Sequence, residues 1–69
     1  MYLVHIYATE HYVDRFGKTI WCKLWTPTFD TLDNAQKFID YHKNEFGHRA
    51  ALYKRNGDRW ELISDTRYF

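Results

Sequence analysis

The sequence predicts an α+β domain of ββαββ order: a four-stranded antiparallel sheet, strand order 2-1-3-4, with one helix packed on one face. Three observations predict it. Residues 2–13 and 19–25 alternate β-branched or aromatic side chains with polar ones on either side of Gly17. Residues 32–46 repeat apolar side chains at helical spacing, and "NG" at 56–57 divides a second pair of strand-like stretches. A chain of 69 residues holds one domain, 1–69, and a domain of that size buries only about 60% of its unfolded surface.

The first two strands, "YLVHIYATEHYV" and "TIWCKLW", flank "DRFGK". A two-residue loop on Phe16 and Gly17 would force Phe16 to positive φ. A type I turn ending in left-handed Gly17 avoids that and sets Asp14 where turns favour Asp. The resulting loop, Arg15, Phe16 and Gly17, pairs Asp14 with Lys18, Tyr12 with Ile20, Glu10 with Cys22, Ala8 with Leu24 and Ile6 with Thr26. One face then collects Val4, Ile6, Ala8, Ile20, Cys22 and Leu24. The other collects Tyr7 opposite Trp25 and His11 opposite Trp21, with Leu3 at the end. A slip of one residue would scramble this separation.

Pro27 ends the second strand. Thr31 is an N-cap residue, Asp33 sits in the first turn near the positive end of the helix dipole, and Leu32, Ala35, Phe38, Ile39, His42 and Phe46 form one stripe. Gly47 is the C-terminal stop. The helix, about 15 residues and roughly 22 Å long, is expected to lie on the aliphatic face of the first hairpin. Residues 48–54 and 59–63 form the second hairpin. A two-residue loop on Asn56 and Gly57 pairs Lys54 with Arg59, two like charges, and Tyr53 with Trp60; the favoured loop of Arg55, Asn56 and Gly57 pairs Lys54 with Asp58, Leu52 with Trp60 and Ala50 with Leu62, and turns Arg49, Tyr53 and Arg59 toward the uncovered face. A helix returning from the second strand makes the third parallel to it and antiparallel to the first, which gives the order 2-1-3-4.

Composition removes several classes of function. Ten Lys and Arg against nine Asp and Glu give a formal charge of +1, so nucleic-acid binding would require a local patch rather than an overall basic excess. The single cysteine, Cys22, excludes an intramolecular disulfide and suits a reducing compartment. The N-terminus has no basic stretch ahead of an apolar run, and no segment reaches the length that spans a bilayer, so the expectation is a cytoplasmic protein with no membrane partner.

Aromatic residues make up 20% of the chain, more than a core this small requires. Tyr7, His11, Trp21, Lys23, Trp25, Arg49, Tyr53 and Arg59 are the expected partner-binding residues. They combine flat apolar surface with charged donors, the composition of protein-interface hot spots. Another protein is the expected partner, with self-association into a homodimer through this face or an edge strand as a variant of the same reading. The bland alternative is that the rings shield the sheet or pack under the C-terminal "TRYF". The rival reading is single-stranded nucleic acid or DNA on the same face, with Lys54 and Arg55 of the basic hairpin contacting phosphates. Neither a cofactor nor a metal is expected: His5, His11, His42, His48 and Cys22 are dispersed, and the glycines each serve a turn. His42, on the apolar side of the helix, reads as a hydrogen-bonded boundary residue. Cys22 and His11 fall on opposite faces, so no nucleophile and base come together, and the chain is not expected to be an enzyme.

In "TFDTLDNAQKFIDY", Phe29, Thr31 and Ala35 match the strand-to-helix step F-x-T-x-x-x-A and so resemble integrase arm-binding domains, which read DNA with a three-stranded sheet. Here the sheet continues after the helix, unlike that family. Taken whole, the miniature ββαββ layout, the Met start and the aromatic, charge-balanced composition look like small phage-encoded inhibitor proteins, including some anti-CRISPR proteins. That resemblance implies a viral, stoichiometric inhibitor of a host defence or nucleic-acid-processing complex, acting in the host cytoplasm.

Overall fold

The computed structural model of the chain describes residues 1–67. Its elements are β1 (Tyr2–Val13), β2 (Thr19–Trp25), β3 (Thr28–Phe29), α1 (Leu32–Phe46), β4 (Arg49–Asn56) and β5 (Arg59–Asp65). The fold is α+β, and the long strands are ordered β2-β1-β4-β5 with every pairing antiparallel. A fifth, short strand was not expected: β3 pairs Thr28 and Phe29 with Leu3 and Tyr2. Pro27 interrupts β2 because proline lacks the N–H a ladder needs. Its carbonyl still accepts from Val4 N–H at 3.0 Å, so β2 and β3 run along the same edge of β1.

The first turn forms as its residues dictate. Gly17 has φ 81°, its N–H donates to the Asp14 carbonyl at 3.0 Å, and Asp14 N–H donates to the Lys18 carbonyl at 2.9 Å. Asp14 Oδ1 accepts from the Phe16 and Lys18 N–H groups at 2.8 and 2.9 Å. The expected register holds beside this turn, with Tyr12 opposite Ile20 and His11 opposite Trp21, and then breaks twice. Tyr7 lies opposite Lys23, not Trp25, so β1 carries two extra residues between the paired positions. Ile6 lies opposite Trp25, not Thr26, which places Leu24 as an extra residue in β2. The second break turns Trp25 to the helix side, correcting the expectation that both β2 indoles face away from it.

Thr31 caps α1 as read, its Oγ1 accepting from Asn34 N–H at 3.2 Å, and Gly47 ends it at φ 71° with its N–H on the Lys43 carbonyl. The core gathers Val4, Ile6, Ala35, Ile39, Ala50 and Leu52, flanked by Tyr2, Phe29 and Phe38. The helix therefore rests on β1, β3 and β4. Ala8 and Ile20 are only half-buried, and Cys22 and Leu24 are exposed, so these four lie outside the core. The far half of the β1–β2 hairpin extends beyond the helix, with Tyr12, Val13 and Phe16 exposed. The resemblance to integrase arm-binding domains has a local cause: Phe29 packs on Phe38 with centroids 5.3 Å apart, Thr31 caps, and Ala35 is fully buried where the helix meets the sheet.

The second hairpin differs from expectation. Asn56 lies opposite Arg59, so the loop is Gly57-Asp58, with positive φ at Gly57 (64°) and not at Asp58, the pattern of a type II′ turn. Lys54 then meets Glu61, Arg55 meets Trp60 and Tyr53 meets Leu62. Lys54 opposite Glu61 keeps the favourable charge pairing that Lys54 opposite Asp58 would have had, and the 2.6 Å bond from Asn56 Nδ2 to Glu61 Oε1 is an added interaction of this register. Pairing with Arg55 and Tyr53 keeps Trp60 and Leu62 out of the core, and Ile63 is an extra residue before Ser64 meets Leu52.

A candidate binding surface opposite the helix

Side chains directly opposite one another across an antiparallel pair share a face, and successive residues alternate. Starting from Val4, Ile6, Ala50 and Leu52 on the helix side, the pairings send Leu3 with Tyr53, His5 with Ala51, and Tyr7 with Arg49 and Lys23 to the other side. Arg55 and Trp60 follow on that face, as do Leu62 opposite Tyr53 and Asp65 opposite Ala51. His11 and Trp21 occupy it farther along the first hairpin, stacked with centroids 4.3 Å apart. Of the expected binding residues, Tyr7, His11, Trp21, Lys23, Arg49 and Tyr53 are thus brought to one face.

Two are not, and Lys54, expected to contact phosphates, leaves with them. Trp25 packs over α1, its ring 4.9 Å from that of His42 and 6.0 Å from that of His48. Arg59, opposite Asn56, and Lys54, opposite Glu61, alternate with Arg55 and Trp60 and so point to the helix side. The residues sequence reasoning missed are Trp60, Leu62 and Arg67. A Gly-Asp loop at 57–58 was the signal that would have placed the first two.

The middle of the face is closed. Tyr7 is 4% exposed and Ala51 fully buried, because the chain beyond β5 folds across them. Thr66 N–H donates to the Ala50 carbonyl at 2.9 Å, and Thr66 Oγ1 accepts from Ala50 N–H at 3.1 Å. This holds Arg67 with its guanidinium carbon 4.6 Å from the centre of the Tyr7 ring. Arg67 Nε donates to both Asp65 carboxylate oxygens at 3.0 Å, and this hydrogen bonding holds the Asp65 carboxyl below its ordinary range against the opposing effect of burial. The expectation that rings here could pack under "TRYF" is met at Arg67; Tyr68 and Phe69 lie outside the described residues. Around this closed centre Lys23, Arg55 and Leu62 are exposed and Trp21, Tyr53 and Trp60 half-buried. Arg55 stands over Trp60 at 5.8 Å.

His5 lies between the two zones. Its ring sits 4.9 Å from that of Tyr53, and its Nδ1 is 3.3 Å from the Tyr7 hydroxyl oxygen. Burial, then the charges of Lys23 and Arg67, pushes its pKa down, disfavouring its charged form. Four cations, Lys23, Arg49, Arg55 and Arg67, thus share the face with one carboxylate placed there by pairing, Asp65.

On the other side of the sheet a second aromatic group closes the end of the helix. His42 is 6% exposed, with its Nδ1 3.2 Å from that of His48, and Trp25, Phe38 and Phe46 stand around the pair. Burial and the neighbouring His48 push the His42 pKa down. Among the described residues no three His, Cys, Asp or Glu side chains gather in a metal-binding group, and no helix is long and apolar enough to cross a membrane. Comparison with known protein families, curated proteins and solved structures gives no match to this chain.

Proposed function

We propose that this chain is a small non-enzymatic protein-binding module that acts stoichiometrically through the sheet face opposite α1. The observation that carries the reading is Leu62, 55% exposed, beside Tyr53, Trp60 and Arg55 on a face that no helix covers. An exposed aliphatic anchor among aromatic and guanidinium groups suits a protein interface. The closed centre supports it as well: Tyr7, the ring best placed for stacking, is buried under Arg67 and offers no open surface to a base. A stoichiometric blocker is also what the resemblance to small phage-encoded inhibitors implies.

A second reading has one observation in its favour. The second hairpin's register removes Glu61 to the helix side and leaves Arg55 over the half-buried Trp60, with Arg49 and Lys23 farther across the same face, a basic and aromatic arrangement that single-stranded nucleic acid could use. The experiment is capture from host lysate with and without nuclease, followed by binding measurements on Trp60→Ala, Leu62→Ala and Tyr53→Ala. A protein partner survives nuclease, and its affinity falls by more than ~1 kcal/mol in at least one variant while the melting temperature stays near wild type. A catch lost on nuclease treatment, with affinity dropping by decades between ~50 and ~200 mM salt, assigns the face to nucleic acid. A protein partner indifferent to all three variants refutes the proposed surface.

A further inference from the structure

The two long edges of the sheet are not alike. The β5 edge carries Arg59, Glu61 and Asp65 and a bulge at Ile63, features that discourage another strand from pairing with it. The β2 edge has a bulge too, at Leu24 near its end, but it carries one charge, Lys23, and no proline from Thr19 to Trp25, and among the described residues it pairs with β1 alone. Cys22, Lys23, Leu24 and Trp25 are exposed there. Such an edge is a template for a further strand.

We propose that two copies of this chain pair antiparallel through β2 about a twofold axis at Cys22, joining their sheets into one. Three features fix the register. First, Cys22 is the midpoint of the seven-residue strand, so only an axis there overlaps its whole length. Second, the turn bond from Asp14 N–H to the Lys18 carbonyl sets the backbone phase. Lys18, Ile20 and Cys22 direct their peptide groups to β1, while Thr19, Trp21 and Lys23 direct theirs outward. An axis at Cys22 sets outward-facing Trp21 against outward-facing Lys23 of the other copy, where they exchange both backbone bonds. Third, the side chains match. Ile20 meets Leu24 on the helix side, and the Lys23 ammonium meets Trp21 on the other, twice over by symmetry. Centring the axis on Lys23 would oppose two ammonium groups, and centring it on Trp21 would leave Lys23 facing Thr19.

This inference goes beyond the partner-binding reading, because it concerns the edge of the sheet rather than its face and would stand if no other protein bound. In the pairing the two Cys22 residues form a non-hydrogen-bonded pair with Cα atoms about 4.5 Å apart, within reach of a disulfide. Diamide can therefore oxidise the two thiols to one disulfide, itself being reduced to the hydrazide by the two electrons and two protons released. The test has two arms at ~10 to 200 µM protein, where a small interface is expected to populate. In sedimentation equilibrium the wild type should approach twice 8.5 kDa, and diamide should convert it to a dimer cross-linked through Cys22 that dithiothreitol reverses. Cys22→Ser should keep the non-covalent dimer and lose the cross-link. Lys23→Pro removes an outward N–H without removing a bond to β1, and should lower the dimer fraction at least tenfold with unchanged circular dichroism. A wild type that stays at 8.5 kDa throughout this range overturns the proposal, and so does a dimer whose Cys22 thiols resist diamide. The cross-linking arm needs no variant to fold.

Discussion

Truncating Ile6 and Ile20 separately tests whether the core ends where the first hairpin leaves the helix. Ile6 is fully buried between α1 and β4, whereas Ile20 is half-buried on the extended part of the hairpin. Ile6→Ala deletes three carbons, which at ~0.8 kcal/mol per methylene removes about 2.4 kcal/mol of transfer free energy. The cavity left behind brings the total to about 3 to 4 kcal/mol. With an unfolding entropy of about 2.1 cal/mol/K per residue, a domain of this length loses roughly 20 °C of melting temperature for 3 kcal/mol. Ile20→Ala leaves little cavity, because water already reaches the site, and should cost about 1 kcal/mol, or roughly 7 °C. Urea titrations followed by far-UV circular dichroism give both values on one scale. Equal losses for the two variants would mean that the hairpin folds back onto the core and that the boundary drawn at Ile6 is wrong.

Three further outcomes follow from the same packing. His5 and His42 both have pKa values lowered by folding, so the unfolded chain binds more protons as pH falls through the ordinary histidine value of 6.5. Stability should be flat above that value and decline below it toward the folded-state values, and His42→Phe should flatten part of the slope in melts recorded from pH 7.5 to 5. Trp25→Ala, which strips the ring from His42 and His48, should cost about 1 to 2 kcal/mol of stability, a figure kept low by its 49% exposure. Thr31→Ala removes the bond to Asn34 N–H and should cost about 1 kcal/mol by chemical denaturation.

What could be read from the sequence was set by short-range chemistry. The Asp14–Lys18 turn, the Thr31 cap, the Gly47 stop and the strand order follow from residues a few positions apart and from the handedness of the crossover, and the structure has them all. What was missed lies beyond such reach. Nothing in "YATEH" or "CKLW" marks the two register breaks between β1 and β2, because they come from fitting a twelve-residue strand to both β2 and β4. Each break is small, yet the one at Leu24 moves Trp25 from one side of the sheet to the other. The second hairpin failed for a related reason. "NG" and the Lys54–Asp58 charge pair point to a loop of Arg55, Asn56 and Gly57, whereas the structure turns at Gly57-Asp58, which exchanges Arg59 for Trp60 on the open face.

These shifts change the charge of the candidate surface more than its aromatic content. Losing Trp25 and gaining Trp60 leaves the number of indoles on the face unaltered, but the same pairing sends Lys54, Arg59 and Glu61 together to the helix side. Among the side chains that pairing and the Arg67–Tyr7 contact place on the face, Asp65 is the lone carboxylate, and it is already engaged by Arg67. A partner docking there would meet Lys23, Arg49 and Arg55 as cations with no carboxylate paired to them across the strands, so an acidic protein surface complements it better than a neutral one. Reversing one of these charges should act mainly on the association rate. Arg55→Glu should slow association several-fold at low salt, and the difference from wild type should shrink as ionic strength rises, because exposed charges are screened beyond ~10 Å at 0.1 M. If Arg55→Glu instead changed only the dissociation rate, with no salt dependence, the guanidinium would be a buried contact and the acidic-partner reading would fall.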